Sequence, residues 1–448
     1  MFLSWRVWLA ACFAPLACLL LFVVPSQAET PIRYEVRKGD TLYALAQEHF
    51  RRPSDMIRVQ RINRISDPRR MQTGRILVIP RSYLRYQPLN AKIQAFRGSV
   101  LIRRAGSGAT TNAVAGMTLE EGDRIRTAPA GFVTLAVDGG VRTTLPSSSA
   151  VILQRLRRYS INGEVERVIA LQEGRGDIDA SGLRRKGSKG GLEVRTPNAT
   201  AAIRGTEFSV AVLSGGTSVS VHEGKVDVSG NSKVSGQSAD LPEVNVDGGF
   251  GVAVSEEGLS PPIKLLDAPE QVDPRRLKTG QDVRFDLKPV AGAGTYRFRL
   301  GTDAGMIDSV AEVDSTLPTA SFANLEDGNY FLRVSAVDAH GLEGMSRTYP
   351  FRRLLSTMDG LAPGFGDDGK IVFRWMAEGE GGPSRFILAG DREVTKALLD
   401  RPGIDGTEIV LEGLPPGTYY WVIERRLVAD GEVEIIRSTA QELVVAAQ

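Results

Sequence analysis

The sequence predicts a mainly β, multidomain protein: a small α/β head, a β-rich middle and two tandem β-sandwiches at the C-terminal end. Three observations predict it. The 448-residue chain has the length of about three globular units at roughly 150 residues each. It carries 48 glycines and 23 prolines without collagen-type periodicity; a glycine share above the usual ~7% reads as many tight turns joining short strands. Helical spacing of apolar residues is confined to the head, between Leu42 and Asn63, whereas alternating patterns dominate from Ala91 onward.

The chain opens as an export signal. Arg6 is the sole charge before Glu29, Val7 to Val24 is almost wholly apolar, and Pro25-Ser26-Gln27-Ala28 supplies small residues for cleavage. Residues 1–28 are therefore expected to be removed, leaving a periplasmic or secreted protein. An uncleaved anchor is the alternative, since this run is just long enough to span a bilayer. Both cysteines, Cys12 and Cys18, lie in this segment, so the mature chain is expected to lack thiols, disulfides and cysteine-ligated metals. No later stretch reads as a membrane span.

Charge is unevenly placed. From Pro31 to Pro88 there are 13 lysines and arginines against 5 acids, a net of +8, while the whole chain carries +2. A basic head on a mildly acidic body points to an anionic surface as its partner. In an exported chain a cell-wall or membrane surface fits that role better than nucleic acid, which is not expected as a partner.

In the head, Tyr34-Glu35-Val36 alternates as a strand, and Gly39 suits a tight turn with Asp40 placed to cap the following helix. Leu42, Leu45, Ala46 and Phe50 form one apolar helical face. Pro53-Ser54-Asp55 opens a second helix carrying Met56, Val59 and Ile62 and ending at Asn63; Ile76-Leu77-Val78-Ile79 is a strand stopped by Pro80. The order is strand–helix–helix–strand. Tyr34-x-Val36-x-x-Gly39-Asp40-Thr41-Leu42-x-x-Leu45-Ala46, then Asn63, then Gly74-x-x-Leu77-x-Ile79-Pro80 resembles the LysM family, here spanning 32–81. The resemblance implies binding of N-acetylglucosamine-containing polymers, chiefly peptidoglycan. It places the sugar in a shallow groove between Gly39, Asp40, Thr41 and Leu42 on one side and Met71, Gln72, Thr73, Gly74 and Ile76 on the other. Helix-start amides and loop carbonyls there can hold N-acetyl and hydroxyl groups. Turn, cap and core packing is the competing role for Gly39 to Leu42, and for the Leu42 side chain the leading one.

From 91 to 254 the pattern is short strands: Phe132 to Val137, Val141 to Leu145, Ala150 to Leu156, Val165 to Leu171, Ser218 to His222 and Lys225 to Val228, with hairpin turns at Asp138-Gly139-Gly140 and Glu223-Gly224. Gly122-Asp123-Arg124-Ile125-Arg126-Thr127, Ala201-Ala202-Ile203-Arg204-Gly205-Thr206-Glu207-Phe208 and Val219-x-Val221-His222-Glu223-Gly224-Lys225-Val226 resemble the FecR family. The resemblance implies an envelope domain used in sensing. The family's transmembrane helix and cytoplasmic regulator have no counterpart here, so a binding or scaffolding use is expected instead. Arg204-Gly205-Thr206-Glu207 reads as a turn with a charge pair pinning strands, and Arg184-Arg185-Lys186 as a solvated loop.

Gly258 to Pro269 has linker composition, as does Arg81 to Pro88. Beyond it Phe285 and Phe373, Phe298 and Phe386, and Gly328-x-Tyr330 and Gly417-x-Tyr419 repeat at offsets of 88, 88 and 89 residues. That period suits two immunoglobulin-like sandwiches, 270–354 and 358–447, the first resembling a fibronectin type III module. Tyr330, Leu332, Val334 and Ala336 share one face. Asp367-Asp368 and Glu378-x-Glu380 read as turn acids rather than a calcium site.

Neither a His-Glu-x-x-His zinc motif nor a Gly-x-Ser-x-Gly nucleophile elbow occurs. The expected function is non-catalytic: peptidoglycan binding by the head and presentation of the other domains as a scaffold or to an envelope partner, with no cofactor and no metal. A periplasmic sensor capturing a ligand with the FecR-type domain is the alternative. A LysM-targeted wall hydrolase is a third.

Overall fold

The computed structural model describes residues 30–184, 190–230, 243–366, 369–429 and 431–446. The signal expected at 1–28, Arg185-Lys186 and Asp367-Asp368 lie outside the described residues. The chain divides into two compact units, one of 30–85 with 160–162 and one of 86–159 with the described residues from 163 onward.

The first unit is a βααβ fold. β1 (Ile32–Glu35) pairs antiparallel with β2 (Ile76–Ile79), and between them lie α1 (Leu42–His49) and α2 (Met56–Ile62). Alternation buries Ile32 and Tyr34 from β1 and Leu77 and Ile79 from β2 against Leu42, Leu45, Ala46 and Val59 from the helices. Burying these side chains is the main stabilising term, at about 1.5–3 kcal/mol for each large one. Arg81 to Arg85, expected as linker, is packed: Leu84 is fully buried and bridges Phe50.

In the second unit, two ten-stranded sheets face one another across one apolar core. All their ladders are antiparallel except that of Val165–Glu173 with Leu192–Arg195. The Asp138-Gly139-Gly140 hairpin joins Phe132–Val137 to Val141–Leu145, both glycines having positive φ as such a tight turn requires. The sheets extend past 91–254 at both ends. Tyr86–Pro88 pairs with Ala150–Tyr159, and Gly258–Leu259 and Ile263–Lys264 both pair with Phe250–Ser255. The proline-rich stretch after Gly258 therefore runs along a sheet edge, where missing amide donors are tolerated.

Two β-sandwiches follow. In the first, Val283–Asp286 pairs with Thr319–Phe322, opposite a sheet of Ser309–Ser315, Thr295–Gly301, Gly328–Val337, Arg347–Arg353 and the short parallel strand Leu277–Lys278. Phe285, Phe298 and Tyr330 lie in its core. The repeated positions Phe373, Phe386 and Tyr419 lie in the core of the second. Tyr330 Oη donates to Glu326 O (3.0 Å) and Tyr419 Oη to Pro415 O (2.9 Å), the corner in which a tyrosine opening a strand pins the preceding turn. The second sandwich ends laterally in Ala397–Ile404, which is bulged where Arg401 and Ile404 bracket Pro402-Gly403.

Candidate functional site

The two segments expected to flank a groove lie at one end of the β1–β2 ladder. Val36 N donates to Arg75 O (2.9 Å), Gly74 N to Val36 O (2.8 Å) and Leu42 N to Pro68 O (3.0 Å). These bonds tie the turn after β1 to the loop before β2. Gly39 (φ +93°) and Gly74 (φ +84°) take left-handed backbone, which explains glycine at both positions. A Cβ built on either would meet nothing within 4 Å, so both face open space.

The nine candidate residues divide. Gly39, Gln72, Thr73, Gly74 and Ile76 are exposed, and Asp40, Thr41 and Met71 half-buried. Leu42 is fully buried and its amide already bonds Pro68; it belongs to the core and offers a groove neither side chain nor N–H. Asp40 does not cap α1. Its carboxylate accepts from Tyr34 Oη (2.8 Å) and Arg37 N (2.8 Å), fixing the turn. Burial and that bond push the Tyr34 phenol up to about 12. Thr41 is the N-cap, its hydroxyl accepting from Ala44 N (3.0 Å); it sits three residues before that orphan amide, as a cap must. Asp40 is one residue too early.

Asn63, part of the family pattern but not a candidate site residue, and Tyr43, in neither role, adjoin the candidate segments. The Asn63 amide donates to Val59 O (2.9 Å) and Val78 O (2.8 Å) and accepts from Val78 N (2.7 Å), locking the end of α2 to β2. Tyr43, beside Leu42 but off the apolar face of α1, is 61% exposed; an aromatic breaking the helical stripe was the available signal.

A second set of polar residues converges in the other unit. Thr134, Thr144, Asp177, Ser209 and Ser220 are cross-strand neighbours in one row of a middle-domain sheet. Glu312, Arg299, Arg333 and Thr348 form a row across the first sandwich. The rows are joined. Thr134 Oγ1 donates to Ile307 O (2.7 Å), Ser218 Oγ to Gly341 O (2.8 Å), and Ser220 Oγ accepts from Glu343 N (2.9 Å). Arg299 bonds both Asp177 and Glu343, and Arg175 bonds Glu312. Burial pushes the Glu343 carboxyl up, but Arg299 and Arg297 together hold it well below the ordinary carboxylate range. Beside this network is a cavity of about 250 Å³, lined in part by Arg142, Asp179, Glu207, His222 and Arg333. His222 Nδ1 is buried there without a hydrogen-bond partner among the described residues.

The turn at Arg204-Gly205-Thr206-Glu207 is held differently from the expectation. Arg184, not Arg204, supplies the cation, donating to Gly205 O and pairing with Glu223 (2.6 Å). Among the described residues no group of three or more His, Cys, Asp or Glu is placed to hold a metal, and no helix is long and apolar enough to cross a membrane.

Comparison with known families agrees with this partition. Residues 34–80 match the LysM domain model and residues 123–227 the FecR protein model. The chain thus carries a LysM domain and, after it, a FecR domain, both found in envelope proteins; LysM domains generally bind peptidoglycan or chitin-like polymers, and FecR suggests a regulatory or sensing role. Neither family is catalytic. No curated protein matches the chain. Among solved structures, a protein described as an anti-sigma factor of Parabacteroides distasonis is similar over 32% of this chain at 18% identity (TM-score 0.24); the match spans 59% of that protein's length. A two-domain fibronectin type III segment of chicken tenascin is similar over 41% of this chain and all of its own, at 15% identity (TM-score 0.21).

Proposed function

We propose that this is a non-catalytic, periplasmic envelope protein that binds N-acetylglucosamine-containing peptidoglycan through its LysM domain and carries its FecR-type and sandwich domains as a scaffold for an envelope partner. The observation behind it is the tying of Val36 and Leu42, which bracket the first turn, to Pro68, Gly74 and Arg75 of the second segment, with two left-handed glycines facing open space. Polar backbone so exposed suits N-acetyl and hydroxyl groups. One groove buries little ligand, so firm attachment comes from many copies on one polymer. Co-sedimentation with purified sacculi tests it, using the full chain and Thr73→Trp. The wild type should pellet, the variant should stay soluble, and no muropeptide should appear in the supernatant. Equal pelleting of the variant would move the site elsewhere, and released muropeptides would defeat the non-catalytic reading.

The cavity beside His222 favours a second reading, capture of a small polar ligand by the FecR-type domain. Protection of His222 from diethylpyrocarbonate by a periplasmic extract fraction, absent with buffer, would support it.

A further inference from the structure

Cations flank both walls of the groove. Arg37 and Lys38 directly precede Gly39, and Arg69 and Arg70 directly precede Met71; all four are exposed. None has a carboxylate partner among the described residues. The acids in the same two segments are engaged locally: Asp40 with Tyr34 and Arg37 N, and Asp67 with Arg69 N (2.9 Å). Because Leu42 N bonds Pro68 O and Gly74 N bonds Val36 O, the two basic pairs lie at the same end of the unit. A chitin-type polymer is neutral and gains nothing from four such charges. A glycan whose lactyl groups bear peptides with free carboxylates presents anions at regular intervals beside the sugars.

Resting on the glycan-binding reading above, we propose that Arg37, Lys38, Arg69 and Arg70 form a cationic rim that recognises stem-peptide carboxylates, so that the domain selects peptidoglycan with unamidated stems over neutral N-acetylglucosamine polymers. Exposed charge pairs act over about a Debye length, ~8 Å at physiological salt, so the preference is salt-sensitive. The sugar contacts through the backbone are not.

The test is isothermal titration of the full chain with three probes: a chitin oligosaccharide, a muropeptide with free stem carboxylates, and the same muropeptide amidated. Wild type should bind the free-acid muropeptide roughly tenfold more tightly than the other two, and that margin should shrink in 0.5 M NaCl. The R37Q/K38Q/R69Q/R70Q variant should bind all three alike, with its chitin affinity and far-UV circular dichroism unchanged. A preference surviving in the folded variant, or equal binding of free and amidated stems by wild type, overturns the rim while leaving the groove intact. Failure of wild type to bind any probe overturns the groove itself.

Discussion

Arg299 of the first sandwich bonds Asp177 of the FecR-type domain across 122 positions of sequence. The same guanidinium also bonds Glu343, whose second oxygen accepts from Arg297 (2.5 Å), and Ser335 Oγ donates to the first (2.8 Å). The two domains are thus joined in part through charge taken out of water. Such a junction depends on every member being paired, since a lone buried charge costs more than the pair contributes.

Glu343→Gln should therefore destabilise the second unit by about 3 kcal/mol at pH 7, because it takes from Arg297 and Arg299 the buried carboxylate they share and leaves them with the more exposed Asp314 and Asp177. The pH dependence has a definite sign. Glu343 has a lowered carboxyl pKa in the folded state, so its contribution is complete above the unfolded value near 4.3 and declines as pH falls below it. Urea unfolding from pH 7 to pH 3 should show wild type and variant converging in acid. A gap that widened in acid would contradict the assignment.

Asn63→Ala removes three hydrogen bonds, two to Val78 in β2 and one to Val59 in α2, and leaves the Val78 amide unsatisfied. A loss of about 2–3 kcal/mol confined to the first unit is expected. Hydrogen exchange should show the Val78 amide losing protection while strands of the second unit keep theirs.

Leu42→Ala and Ile76→Ala separate core from site. Leu42 is fully buried and its truncation should cost about 2–5 kcal/mol. Ile76 is 42% exposed; its truncation should cost within about 1 kcal/mol yet weaken sacculus binding. Melting curves and pelleting assays on both variants check this, and an Ile76→Ala protein that pelleted like wild type would remove that residue from the site.

Tyr330→Phe and Tyr419→Phe each delete one corner bond, at about 1 kcal/mol apiece. The tyrosines lie in the separate cores of the two sandwiches, so their effects should add in the double variant. Clear non-additivity in denaturant titrations would mean that the two corners are energetically coupled.

What was legible in the sequence was local. Gly39, Asn63, the Asp138-Gly139-Gly140 hairpin and the repeated aromatics Phe298 and Phe386 each answer to a turn, a cap or a strand period that a few neighbours dictate. Placing the cap at Asp40 instead of Thr41 was a one-residue error between two side chains that both cap well. The junction was not legible. Thr134, Asp177, Ser209 and Ser220 share one row in the sheet, but polarity in a sequence reads as solvent exposure when the covering strands lie over a hundred residues away. Composition misled in the same way at Gly258 to Pro269: proline signals a missing donor, and a sheet edge tolerates that as readily as a linker does. Of the candidate site, the two segments and their glycines were legible, whereas the inward turn of Leu42 and the engagement of the Asp40 carboxylate depend on tertiary packing.

A protein arrayed in many copies on one polymer brings its own strands close to those of its neighbours, and an open edge there would invite chain-to-chain zippering. The lateral strand Ala397–Ile404 carries Asp400, Arg401, Pro402 and Gly403, all exposed, with its bulge at Pro402-Gly403. Proline withholds a donor, the bulge breaks the register and the charges resist stacking. At this edge, close neighbours can then pack side by side without their strands pairing.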